Sequence, residues 1–226
     1  MTKARPILFS APMVRAILAG RKTQTRRAVN LPSVPIGLDP WTLNDPQSPP
    51  DFIANNPRAN GFSATHIAEC RHGRPGDRLW VREKWAPFSV TPNTPVPCSV
   101  DDADGVRFFA DRSFYVCESG GAFTRIPIAI DAEWFDARHK WRPSIHMPRW
   151  ASRITLEITD VRVERLQSIS EEDAAAEGVD PMVVLPGDVV SHVAGFGVLW
   201  DSINHDRAPW DSNPWVWAIS FKVAQP

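Results

Sequence analysis

Pro6-Ile-Leu-Phe9 is a short apolar run that predicts a strand, and Ser10 behind it stands where a helix N-cap is expected. From Ala11 to Ala19, Val14, Ile17 and Leu18 recur at i, i+3 and i+4, the spacing of one helix face, and Gly20 supplies a stop. Gly76-Asp77 reads as a turn into a strand from Arg78 to Arg82, and Val106 to Ala110 as a further strand. The strongest β signal runs from Ile154 to Leu166. There Ile154, Leu156 and Ile158 alternate with polar residues, and the phase slips at Thr159-Asp160 before Val161 and Val163, which predicts a bulge or bend. Ser170 opens a helix whose first turn, Glu171, Glu172 and Asp173, suits the positive end of the helix dipole, and Gly178 closes it. Val193 to Ile203 predicts another helix and Trp215 to Val223 a final strand.

Between these stretches the period fades. Proline concentrates from Leu31 to Arg58 and from Pro87 to Pro97, among asparagine, aspartate and serine, so both are expected to be irregular insertions. They do not read as linkers, because the fragments on either side could not close a core alone. Several strands with few helices and no internal repeat predict an α+β fold around a small, strongly curved sheet or barrel. The whole chain, 1–226, is expected to form one domain with insertions at about 28–70 and 86–150.

Composition narrows the functional classes. With 25 basic and 26 acidic residues the formal net charge is −1, so no global field draws in a polyanion and any nucleic-acid contact needs a local basic patch. No apolar run approaches the ~20 residues of a spanning helix, and the opening MTKARPILFS lacks a signal-type stretch, so a soluble, cytoplasmic protein without membrane partners is expected. Cys70, Cys98 and Cys117 form no CxxC pair, and the histidines at 66, 72, 139, 146, 192 and 205 show no metal-ligand spacing. Neither a metal nor a cofactor is expected. GxSxG, GxGxxG and P-loop motifs are absent, which removes the serine hydrolases, dinucleotide sites and NTPases that use them.

One block holds unabsorbed chemistry: Gly20-Arg-Lys-Thr-Gln-Thr-Arg-Arg27, four cations and two hydroxyls behind a helix end. A solvated basic strand is the plainer account of such a run. Crowding by like charge, however, lowers an amine's pKa, so Lys22 is a candidate base and Thr25 the matching hydroxyl. In an ideal strand positions 22 and 25 point to opposite faces, so joint action requires irregular backbone between them. A carboxylate must complete the set. Glu177 stands at the end of the acidic helix, where the dipole disfavours a negative charge and invites a functional explanation.

Three segments, Ile17-Leu-Ala-Gly-Arg-Lys-Thr-Gln-Thr-Arg-Arg27, Arg74-Pro-Gly-Asp-Arg-Leu-Trp-Val81 and Ile169-Ser-Glu-Glu-Asp-Ala-Ala-Ala-Glu-Gly178, occur in the order found in the ASCH family. The chain resembles that family, small β-barrel proteins related to PUA-like RNA-binding domains, and especially its N(4)-acetylcytidine amidohydrolases. It is also similar to longer ASCH-like proteins of phages and prophages, through Trp141-Arg-Pro-Ser-Ile-His-Met-Pro-Arg-Trp150. The resemblance implies a PUA-like barrel, a catalytic lysine at Lys22, threonine at Thr25 and glutamate at Glu177, and a further basic residue of the same block at Arg27. It implies removal of the acyl group from the exocyclic amine of an N(4)-acylated cytidine, a small nucleoside substrate. The chain is about twice the length of the compact amidohydrolases, and the additions fall mainly in the proline-rich stretches and around 98–150.

A nucleobase has two apolar faces and a hydrogen-bonding edge, so Trp80 and Trp85, flanking Glu83, are expected to line a base pocket beside Arg27, with Trp141 and Trp150 as further aromatic walls. The competing expectation is a single-stranded RNA-binding module or ribonuclease, holding phosphates with the 21–27 block, Arg142, Arg149 and Arg153 and stacking bases on tryptophan.

Overall fold

A computed structural model of the chain describes residues 3–29, 42–43, 51–57, 63–91, 94–98, 101, 103, 105–117, 123–126, 140–185 and 189–224. The first part of the chain holds Ala4–Leu8 (β1), Ala11–Leu18 (α1), Gln24–Ala28 (β2), Thr42–Leu43 (β3), Asp51–Pro57 (β4), Ser63–Glu69 (β5) and Arg78–Arg82 (β6). The middle holds Trp85–Thr91 (β7), Thr94–Pro97 (β8), Gly105–Phe108 (β9), Phe114–Cys117 (β10) and Phe123–Ile126 (β11). Thr155–Arg165 (β12), Glu171–Ala176 (α2), Met182–Leu185 (β13), Val189–Ser191 (β14), His192–Asn204 (α3) and Trp215–Val223 (β15) complete it. The class is α+β. Among the described residues the strands form open sheets and none closes on itself, so the expected barrel is replaced by open sheets.

The chain divides into two compact units, each built from separated stretches. The first comprises Met1–Lys3, Gly20–Arg78 and Glu157–Lys222. In it β15 lies between β12 and β2, and β2 pairs antiparallel with β15 in the register Thr25↔Ile219 and Arg27↔Trp217. The helices α2 and α3 pack on a cluster of Leu166, Ile169, Ala174, Phe196, Trp200 and Val216, all removed from water. Burial of this apolar surface is what holds so short a helix as α2 in place, since six residues cannot sustain a helix in water. Ser170 caps it by accepting from the Asp173 N–H, and Gly178, at φ +77°, ends it in the left-handed conformation that glycine adopts without strain.

The second unit comprises Ala4–Ala19, Leu79–Leu156 and Val223–Pro226. Its sheet runs in the order β11-β10-β9-β7-β8, with Trp85, Val106, Phe108, Met147 and Ala151 in one buried cluster and Ala86, Phe88 and Phe114 in another. Ser10 occupies the N-cap of α1 but its side chain makes no capping bond.

The described parts of the proline-rich stretches depart from expectation, while 31–41, 44–50, 58 and 92–93 lie outside the described residues. Residues 51–57 pair with 63–69, and Pro87 to Pro97 falls in a β7–β8 hairpin with Phe88 opposite Pro97 and Val90 opposite Pro95. β8 is an edge strand, where a missing N–H need not interrupt the ladder, so proline there is compatible with a strand that shows no hydrophobic period. Around Thr159-Asp160, β12 continues unbroken, while its burial changes phase between Ile158 and Val161. Among the described residues no helix is long and apolar enough to cross a membrane.

Candidate active site

The basic block begins as irregular backbone and becomes a strand. Residues 21–23 lie outside regular structure and β2 starts at Gln24, so the break between positions 22 and 25 that joint action requires is present. Two backbone bonds hold that segment: the Thr23 N–H donates to the Ala176 carbonyl at the end of α2 (2.8 Å), and the Phe221 N–H donates to the Thr23 carbonyl (2.8 Å). This brings Lys22 against the helix C-terminus.

There the Lys22 ammonium meets Glu177. Lys22 Nζ donates to Glu177 Oε2 at 2.6 Å and to the Glu177 main-chain oxygen at 2.8 Å. The two side chains are 0% and 2% exposed. A cation on the last carbonyls of a helix answers the dipole that disfavours Glu177 there, so the misplaced carboxylate is explained by its partner. Burial pushes the Lys22 amine below its ordinary value, against the pull of Glu177, and Arg27 and Arg26 push it further down. The direction follows the sequence expectation, but burial rather than crowding is the largest cause.

Thr25 is 1% exposed and sits opposite Ile219 in the β2–β15 ladder. By strand alternation it shares a face with Arg27, while Gln24 and Arg26 share the other. Among the described residues no hydrogen bond joins the Thr25 hydroxyl to the Lys22–Glu177 pair. Arg27 is partly buried, and burial lowers its guanidinium, opposed by the nearby Glu177 charge and assisted by Arg71.

The sequence reading passed over Arg26, Gln24, Glu164 and Asp173. Arg26 is completely buried in side chain: Nε and Nη2 donate to Glu164 Oε1 (2.9 and 2.6 Å), Nη2 to Asp173 Oδ2 (2.9 Å) and Nη1 to Gln24 Oε1 (2.5 Å). Nη1 also faces Glu177 Oε1 at 3.4 Å. The signal for them in the sequence is the acidic first turn of α2, which the helix dipole already explains without Arg26.

Trp80, Glu83 and Trp85 belong to the second unit and have their partners there. Trp85 is fully buried against Val106, Phe108 and Met147, with Trp150 edge-on at 6.1 Å between centroids. Trp80 is 7% exposed, with the Arg82 guanidinium 4.6 Å from its ring centre. Glu83 grips Arg153 at both oxygens (Nε–Oε1 3.0 Å, Nη2–Oε2 3.1 Å), and Asp111 takes the other side of that guanidinium (2.8 Å). Burial raises Glu83 despite Arg153, and the two carboxylates hold Arg153 above its ordinary value. Trp141 lies edge-on to Phe109, with Arg107 and Arg112 against its ring. Among the described residues no group of three histidine, cysteine, aspartate or glutamate side chains is arranged to hold a metal ion.

Comparison with family models, curated proteins and solved structures gave no match.

Proposed function

We propose that this protein is an amidohydrolase that removes the acyl group from the exocyclic amine of N(4)-acylated cytidine or cytosine, with Lys22, Thr25 and Glu177 as its working groups and a PUA-like relationship behind its α+β fold. The observation that carries this reading is the buried Lys22–Glu177 contact at 2.6 Å, in which a desolvated amine is poised beside a carboxylate.

Neutral Lys22 accepts a proton from the Thr25 hydroxyl or from a water, and that oxygen attacks the acyl carbonyl. The oxyanion that forms is stabilised by Arg27 or by the newly charged Lys22. Glu177 relays the proton to the exocyclic nitrogen as the carbon–nitrogen bond breaks, leaving cytidine. On the threonine route the acyl-enzyme is then hydrolysed by water, and on the water route the carboxylic acid leaves directly. The exocyclic nitrogen thereby gains one hydrogen and the acyl carbon one hydroxyl, which is the sum of one water.

The RNA-binding reading is weakened by burial. Arg26 and Arg153 are withdrawn into ion pairs, so two of its cations are unavailable to phosphates, and Arg21, Arg142 and Arg149 are the exposed ones left to it. The pocket expected from Trp80, Glu83 and Trp85 is weakened likewise, since those groups are occupied by protein contacts.

The test follows the ultraviolet spectrum of acetylated and benzoylated cytidine with purified protein. Conversion by the wild type and its loss in folded Lys22→Ala, Thr25→Ala and Glu177→Gln is expected. No conversion of any acylated cytosine derivative overturns the reading.

A further inference from the structure

Glu177 presents two different oxygens to two different cations. Oε2 meets Lys22 and Oε1 faces Arg26, so whatever fixes Arg26 fixes how the carboxylate is turned toward Lys22. Arg26 is fixed from three directions: Glu164 on β12, Asp173 on α2 and Gln24 on its own strand. Gln24 is itself oriented, its amide nitrogen donating to Asp173 Oδ1 and Ser220 Oγ (both 3.2 Å), which turns its oxygen toward Arg26. α2 has six residues and no intrinsic means of holding Glu177 in place.

We propose that Arg26 is a positioning residue: by gripping β12 through Glu164 and α2 through Asp173, it holds the Glu177 carboxylate turned so that one of its oxygens lies against Lys22. This inference rests on the reading of Lys22 and Glu177 as working groups. The planar fork of arginine is what the role demands, since its donors leave in fixed directions toward Glu164, Asp173, Gln24 and Glu177 at once, whereas a lysine would supply one point charge. Among the described residues Lys22 faces Glu177, Arg26 and Arg27, while Arg162 lies on the outer side, pairing with Asp173 (2.8 Å) and Glu164 (3.9 Å).

The experiment compares Arg26→Met, Arg26→Lys and Glu164→Gln with the wild type, in kinetics on acetylcytidine and in pH titration of Lys22 followed through carbon-13 at its ε position. Thermal melting identifies the variants that fold. Displacement of the carboxylate is expected to cut kcat about 10- to 100-fold in Arg26→Met, with KM within about twofold, because misplacing a reacting group costs rate rather than binding. The Lys22 midpoint is expected to fall in Arg26→Met and in Arg26→Lys alike, because a displaced Glu177 no longer holds a proton on Lys22, and that influence is larger than the repelling charge of Arg26. The lysine variant is expected to remain slow as well, because charge without the fork does not position. Glu164→Gln touches neither Lys22 nor Glu177, so a changed Lys22 midpoint and a reduced kcat there support action through Arg26.

Full recovery of kcat in Arg26→Lys, or unchanged kcat in folded Arg26→Met and Glu164→Gln, overturns the inference. If the wild type turns over no acylcytidine, the proposed function has failed and the titrations alone decide. A Lys22 midpoint unmoved in Glu164→Gln and in every Arg26 variant that folds then overturns the positioning role.

Discussion

Lys22 carries the sharpest consequence at the scale of a single residue. Its ordinary value is 10.5, and burial lowers it, so in the native protein the amine gives up its proton at a pH where the unfolded chain still holds it. Two outcomes follow from that sign. As a base it must be neutral, so kcat/KM for acylcytidine is expected to rise with pH along a limb whose midpoint lies below 10.5, and a pH–rate profile checks it. For stability, the unfolded chain binds more protons in the window between the lowered value and 10.5, so the Lys22 contribution improves as pH rises through that window. Below it the full penalty persists. Urea unfolding of the wild type against Lys22→Met/Glu177→Gln, which removes the pair as a unit, is expected to show the difference moving in favour of the wild type toward pH 10.5. Glu177 and Lys22 were both visible in the sequence because each sits in a short motif where its type is out of place. Arg26 was not, because its significance comes from Glu164, 138 residues away.

The element that governs the site is α2. Its start depends on the Ser170 hydroxyl, and Ser170→Ala is expected to cost about 1 kcal/mol in chemical denaturation, the usual value of an N-cap. A second clamp holds it to α3: the Glu171 carboxylate accepts from the Ser191 hydroxyl (2.5 Å) and the His192 N–H (2.7 Å) at the start of that helix. Burial of Leu166, Ile169, Ala174 and Val216 then sets where its end, and therefore Glu177, lies. In the other unit the tight point is Gly105 of β9, where a β-carbon would strike the Tyr115 carbonyl oxygen and the Phe88 ring. Gly105→Ala is therefore expected to destabilise by about 1–3 kcal/mol, the usual cost of overpacking, measured by the same denaturation. Helix ends were readable from Ser170 and Gly178 because caps act over three or four residues. The β7–β8 hairpin was not, because proline at an edge strand obeys the ladder rather than a hydrophobic period.

Charge decides the question that belongs to the whole molecule. A net charge of −1 gives no global field for a polyanion, and with Arg26 and Arg153 buried in ion pairs the RNA-binding reading is left with the exposed Arg21, Arg142 and Arg149. Turnover of a neutral acylated nucleoside is expected to change less than about twofold between 50 and 200 mM salt, where a protein making several phosphate contacts would lose orders of magnitude in affinity. A steep salt dependence, with RNA retained at low salt, would return the RNA-binding reading to first place.

The sequence by itself determined the α+β class, the bounds of β12, α2, α3 and β15 to within about two residues, and the identity of a lysine and a glutamate that meet. Those are properties of local period, capping and residue type, which act within a few positions of the chain. Tertiary structure alone decided that the sheets of the described residues stay open, that the described parts of the proline-rich stretches pair as strands, and that burial is the chief cause of the lowered Lys22 amine. It also decided that Arg26 stands behind Glu177. Desolvation and ion pairing depend on which groups pack against a side chain from more than a hundred residues away, and no local pattern encodes that neighbour.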